Sequence, residues 1–194
     1  MKTIDFFFDF SSPYSYLAAT QLPGVAARTG ARVAYRPIVL FGVFKATGND
    51  MPAKVAAKGM YMAKDLERWA RHYGVPFKFS SHFPSNTIKA MRLVLVADEG
   101  GRGEAAALAG FRAMWEEDRD LNDAGVLADL ARAAGLDPEA ALAAIETPAI
   151  KDKLRANTDE AVARGAFGAP AMFVGEQLFW GNDRIHFVEE AARG

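Results

Sequence analysis

The sequence predicts an α/β protein in which a βαβ unit and a ββα unit are separated by a long, all-helical stretch. Three observations carry this prediction. Near the N-terminus a short aromatic run, Ile4-Asp5-Phe6-Phe7-Phe8-Asp9-Phe10, ends at Ser11-Ser12-Pro13, which fits a buried strand delivered to a helix start. From about Ala46 to Gly165 the apolar spacing is helical. Beyond it, Ala171-Met172-Phe173-Val174 and Gln177-Leu178-Phe179-Trp180 flank Gly175-Glu176, the pattern of a hairpin.

The first helix follows Ser12-Pro13, is interrupted or restarted at Pro23-Gly24, and closes at Gly30 before a second β-type run from Arg32 to Leu40, as glycine ends helices and proline breaks them. Strand, helix, strand implies a right-handed parallel unit. Within the helical stretch, start signals stand at Asn86, Asn122, Asp137-Pro138 and Thr147-Pro148, and stop signals at Gly74, Gly100 and Gly135, by the usual preferences of caps and breakers. The alanine-rich segment from Glu104 to Ala109 reflects helix propensity. After the hairpin, Asn182 caps a last helix running through Arg193. This is the order of a thioredoxin-like fold with a large all-helical insertion: residues 1–45 and 166–194 form the thioredoxin-like domain and residues 46–165 the insertion.

Composition narrows the function. The 194 residues are 51% hydrophobic, enough to bury a sizeable core. Lysine plus arginine number 23 against 24 acidic residues, and neither sign forms a block, so nucleic acid is not an expected partner. No stretch approaches the roughly 18 apolar residues of a membrane span, and the N-terminus reads as a strand and not as a signal peptide; a soluble, cytoplasmic protein is expected. The chain has no cysteine. It therefore makes no disulfide and no thiolate of its own, which excludes every mechanism that needs an internal thiol.

Four segments hold the candidate chemistry. Serine before proline is a good helix cap, and Ser12-Pro13 has that plain reading. Yet a helix N-terminus also presents free amides and a positive dipole end to an anion, and in thioredoxin-like proteins that place is held by a Cys-x-x-Cys pair. Ser12-Pro13-Tyr14-Ser15 has serine at both ends of that spacing, so the site can stabilise a thiolate but must import one. In Phe167-Gly168-Ala169-Pro170, the proline is either an ordinary strand entry or, in this fold, a cis-proline beside the helix start, with Ala169 offering its backbone to a peptide-like ligand. Asn182 and Asp183 are caps, carboxylate and amide ligands for an ammonium group, or both. Lys45, Asn49 and Lys58 are candidates to hold a carboxylate, although isolated lysines are usually solvated. His72, His82 and His186 are too dispersed for a metal site, and no His/Asp pair stands near Ser12 to make a triad.

With Ser12-Pro13-Tyr14-Ser15, Lys45-Ala46-Thr47-Gly48-Asn49, Phe167-Gly168-Ala169-Pro170 and Gly181-Asn182-Asp183-Arg184 in register over nearly the whole chain, the sequence resembles the 2-hydroxychromene-2-carboxylate isomerases and their kappa-class glutathione transferase relatives. The resemblance implies glutathione as cofactor. Ser12 would donate to the cysteinyl sulfur, with Ser11 the neighbouring alternative; Ala169, preceding Pro170, would bond the cysteinyl amide. Asn182 and Asp183 would hold the γ-glutamyl end, and Asn49 with Lys58 the glycyl carboxylate. A homodimer is implied too, with Asp65 reaching the neighbour's glutathione. The implied reaction interconverts 2-hydroxychromene-2-carboxylate and trans-o-hydroxybenzylidenepyruvate in the breakdown of naphthalene-like aromatics, through addition and expulsion of the glutathione thiolate. Lys45 would bind the substrate's carboxylate, and Phe44, Phe83 and Trp180 would line a wall for its ring. A kappa-class transferase or peroxidase, and a thioredoxin-fold protein that binds glutathione or a peptide without turnover, are the competing implications.

Overall fold

The computed structural model describes residues 1–193; Gly194, the last residue of the segment assigned to the thioredoxin-like domain, lies outside them. Four strands form one mixed sheet in the order β2-β1-β3-β4. β1 (Thr3–Phe8) runs parallel to β2 (Arg32–Pro37), and β3 (Ala171–Val174) runs antiparallel to both β1 and β4 (Gln177–Trp180). Between β1 and β2 lies α1 (Pro13–Thr29), and α9 (Ile185–Arg193) ends the described chain. This is the βαβ and ββα pair of a thioredoxin-like fold. Between β2 and β3 stand α2 (Leu40–Thr47), α3 (Ala56–Tyr73), α4 (Ile88–Glu99), α5 (Gly103–Trp115), α6 (Ala124–Ala133), α7 (Pro138–Ala144) and α8 (Pro148–Ala163). No helix among the described residues is long and apolar enough to cross a membrane.

The unbroken aromatic run of β1 follows from burial on both faces. Phe6 and Phe8 point into the larger core, against Tyr35 and, for Phe8, Phe111 of α5. Phe7 points the other way, to Ile38, Val43 of α2, Ala161 of α8 and Phe173 of β3. The larger core is continuous from the sheet into the helical stretch: Phe10 packs against Phe111 with ring centroids 4.8 Å apart, and the indole of Trp115 donates to the carbonyl of Phe10 at 2.8 Å.

Gly110 of α5 makes the closest of these contacts possible. A Cβ there would stand 2.5 Å from the ring of Phe10, which is fully buried and has nowhere to go. Overpacking of this kind costs about 1–3 kcal/mol, against at most about 1 kcal/mol recovered from alanine's better helix propensity. Gly110→Ala is therefore expected to lower the denaturant midpoint, and a midpoint at or above wild type shows that the ring can shift.

Several boundaries differ from the sequence reading. β1 ends at Phe8 and not Phe10, because Asp9 and Phe10 turn toward α1. β2 ends at Pro37, where the Asn157 side chain caps the strand by donating to the Pro37 carbonyl at 3.1 Å; the helical stretch thus opens at Leu40, before Ala46. Pro23 does not interrupt α1, which is unbroken from Pro13 to Thr29. An interior proline costs a helix about 3 kcal/mol, and here Leu17, Leu22 and Val25 are buried along the same helix and outweigh it. α6 is capped by Asp123, whose carboxylate accepts from Val126, and not by Asn122. Thr87 precedes α4, with the Asn86 side chain accepting from the Ile88 amide. Asn182 opens a 3-10 turn (Asn182–Arg184) that leads into α9.

Candidate active site

One cleft of about 550 Å³ lies where the β1–α1 turn, the entry to β3 and the N-terminal end of the helical stretch meet. Ser12 lines it. The residue is 5% exposed and has the extended backbone of a helix cap, φ −95° and ψ 110°. Its Oγ accepts from the amide of Ser15 at 3.1 Å and stands 3.0 Å from the carbonyl oxygen of Ala169. A carbonyl only accepts, so the serine proton points at Ala169. The Ala169-Pro170 peptide is cis, and the Pro170 carbonyl accepts from Gly181 at 3.1 Å, which closes this corner against the end of β4.

The two neighbouring serines are occupied elsewhere. Ser11 borders the cleft, but its hydroxyl donates to Asp9 at 2.9 Å. Ser15, at the far end of the Ser-x-x-Ser spacing, is fully buried, does not border the cleft, and its hydroxyl has no partner among the described residues. Of the three, Ser12 is the one whose hydroxyl faces the cleft without being committed to a charged group.

The walls of the cleft differ in character. Asn49 donates to the Phe167 carbonyl at 2.7 Å and so ties the segment after α2 to the loop before Pro170. Lys58 of α3 borders the cleft and makes no ion pair among the described residues. Asn182, 2% exposed, also lines the cleft, and its carbonyl accepts from Tyr73 at 2.8 Å; beside it in the chain is Asp183, paired with Arg184. Phe41, Phe44, Met51, Met62, Phe83 and Pro84 make an apolar flank, and the Phe83-Pro84 peptide is also cis. Trp180 closes the rim beside Phe167, ring centroids 4.9 Å apart. A Cβ on Gly168 would stand 2.8 Å from its indole nitrogen, so the absence of a side chain there lets the indole lie over the loop.

Asp65 of α3 borders the same cleft. It accepts from Tyr14 at 3.1 Å and from Tyr61 at 3.3 Å. Burial, then the charge and hydrogen bond of Asp65, hold the Tyr14 phenol far above the ordinary tyrosine range, so it stays protonated and donating near neutral pH.

The structure thus brings Ser12, Phe44, Asn49, Lys58, Asp65, Phe83, Ala169, Pro170, Trp180, Asn182 and Asp183 to one cleft. Lys45 is not among them. It sits exposed in the last turn of α2, one residue past Phe44 and outside the cleft lining. Sequence reasoning missed Tyr14, Tyr61, Tyr73 and Asp9. For Asp9 a signal existed: a carboxylate between two phenylalanines of a buried run is tolerated only if its lone pairs are filled. Tyr73 and Tyr61 carry no local signal. Among the described residues no three His, Asp or Glu side chains gather to hold a metal ion.

The profile of the DSBA-like thioredoxin domain matches residues 3–193. The chain belongs to that family. Within it, the chain is 40% identical to a 2-hydroxychromene-2-carboxylate isomerase of Sphingobium xenophagum, over 97% of its own length and 96% of the relative's. It is 29% identical to human glutathione S-transferase kappa 1, over 96% and 89% of the two chains. The solved structure of a 2-hydroxychromene-2-carboxylate isomerase superposes with a TM-score of 0.90 at 31% identity, covering 97% of this chain and 93% of that one. As a DSBA-like protein, this one keeps the helix start and the cis-proline but has oxygen where a redox member needs sulfur.

Proposed function

We propose that the chain is a glutathione-dependent isomerase that interconverts 2-hydroxychromene-2-carboxylate and trans-o-hydroxybenzylidenepyruvate. The observation that carries this is the Ser12 hydroxyl at the start of α1, set against the carbonyl that precedes cis-Pro170 in a chain without cysteine. The cleft suits the tripeptide chemically. Lys58, without an ion pair among the described residues, and Asn49 line the cleft and suit the glycyl carboxylate, and Asp183 and Asn182 offer acceptors for the γ-glutamyl ammonium group. The backbone at Ala169 lines the same cleft and suits the pairing that a peptide-like ligand needs. When bound, glutathione supplies a thiolate that adds to the conjugated system, so that a double bond becomes a single bond free to rotate, and is then expelled.

The protein's part is electrostatic and positional. Ser12 exchanges the Ala169 carbonyl for the cysteinyl sulfur as its acceptor, and the dipole end of α1 favours negative charge at the same place. Phe44, Phe83 and Trp180 flank the ring and exclude water. Lys45, exposed one residue past Phe44 at the end of α2, is the cation proposed for the substrate's carboxylate. Two copies acting as a cytoplasmic homodimer complete the proposal, with Asp65 near the boundary between them.

Calorimetric titration with reduced glutathione, followed by an ultraviolet assay of chromene isomerisation, tests the reading. Micromolar to millimolar binding and catalysis that depends on the tripeptide are expected, and no heat of binding overturns it. The 29% identity to human glutathione S-transferase kappa 1 favours a second reading as a transferase or peroxidase. Glutathione retained in the product decides for a transferase, and glutathione disulfide formed as a hydroperoxide is reduced decides for a peroxidase.

A further inference from the structure

Asp9 lies one residue past the end of β1 and three before Ser12, and it is 3% exposed. Its carboxylate faces no cation among the described residues; four neutral donors fill it. Oδ1 accepts from the Ser11 amide at 2.9 Å, the Ser11 hydroxyl at 2.9 Å and the Thr87 hydroxyl at 2.7 Å, and Oδ2 accepts from the Leu40 amide at 2.9 Å. Its backbone carbonyl accepts from the Ser12 amide at 3.0 Å.

The four donors come from three segments, two of them, at Ser11 and Leu40, bordering the cleft. Ser11 is part of the turn that presents Ser12. Leu40 is the first residue of α2, which carries Phe44. Thr87 follows the Phe83-Pro84 segment and leads into α4. Burying a carboxylate without a cation is costly unless every lone pair is used, and an amide in its place has one acceptor oxygen where two are needed. The position therefore requires an anion that gathers several donors.

We infer that Asp9 is a positioning residue for the thiol step, holding the Ser11-Ser12 turn, the start of α2 and the segment before Thr87 in one register so that the Ser12 hydroxyl and the ring wall stand at a fixed separation. The inference rests on the glutathione reading. In Asp9→Asn the amide group meets donors whichever way it turns. The register loosens at the turn and at the start of α2, and a misplacement of about 1 Å near reacting atoms costs up to about 100-fold in rate.

The test reads glutathione thiolate absorbance against pH, steady-state kinetics with the chromene substrate, and amide exchange at Leu40 in the ligand-free protein. In Asp9→Asn the ionisation midpoint of bound glutathione is expected to rise, kcat to fall by up to about 100-fold, KM for the chromene to rise, and Leu40 exchange to quicken. Two milder variants separate the segments. Ser11→Ala is expected to raise the ionisation midpoint, and Thr87→Val to raise KM with that midpoint in place. Asp9→Asn that folds and keeps the wild-type ionisation curve and kcat overturns the inference, as a merely structural role lowers thermal stability and moves neither. Should Asp9→Asn fail to fold, Ser11→Ala and Thr87→Val decide, and wild-type behaviour in both overturns it. A wild-type protein with no thiolate signal overturns the glutathione reading and this inference together, whereas a wild-type signal unchanged in the variants overturns this inference alone.

Discussion

Ser12→Ala is expected to slow glutathione-dependent isomerisation by roughly 100- to 1000-fold, the range seen when one donor to a developing or resident anion is removed. Two effects separate in this variant. The loss of the helix cap, where the Ser15 amide loses its acceptor, costs about 1 kcal/mol of stability, too little to unfold the protein. The loss of the hydroxyl, which donates to the Ala169 carbonyl in the ligand-free protein, removes the donor that the glutathione reading turns to the sulfur, so the midpoint of thiol ionisation should move up toward that of free glutathione. Circular dichroism and thiolate absorbance, measured on the same sample, distinguish the two. A rate within a few-fold of wild type with the fold intact removes Ser12 from the chemistry and leaves only its role as a cap.

Trp115→Ala is expected to have the largest effect on stability. The indole is fully buried at the end of α5. It stacks on Phe77 at 6.0 Å, meets Phe79 and Phe83, and satisfies the Phe10 carbonyl. Truncating a buried tryptophan costs about 3–5 kcal/mol, and the orphaned carbonyl adds about 1–3 kcal/mol where water cannot reach it. At about 2–4 °C per kcal/mol for a chain of this size, the first contribution alone lowers Tm by roughly 6–20 °C. Because Phe83 borders the cleft, KM for the aromatic substrate should rise at temperatures where the variant is still folded. Scanning calorimetry checks the first expectation, and a Tm within about 3 °C of wild type contradicts it.

The order of elements was legible because it rests on local signals: an apolar run ending in Ser-Pro, glycines at helix ends and a two-residue hairpin turn. Boundaries were less legible where tertiary contacts compete with local preference. Pro23 stays inside α1 because the helix buries Leu17, Leu22 and Val25, and Asp123 caps α6 although Asn122 beside it has equal intrinsic merit. Site residues carried on turn motifs, Ser12, Ala169, Pro170, Asn182 and Asp183, could be placed in one cleft because the fold brings those turns together. Lys45 stands outside the cleft lining because a helix residue's facing depends on the packing of its whole helix, which no motif encodes. Tyr14 and Asp65, 51 positions apart, meet only through the packing of α3 on α1.

By itself the sequence determined the fold class, the lack of any internal thiol and the serine at the head of α1, since each follows from composition or from a few adjacent residues. Tertiary structure alone decided which serine is free to act and what Asp9 does. Ser11 and Ser12 are chemically identical and adjacent, and they differ only in what stands opposite: a buried carboxylate for one, a carbonyl next to a cis-proline for the other. Those opposing groups are brought there by burial of distant apolar surface, a force without direction along the chain, which is why adjacent residues of one kind acquire different roles.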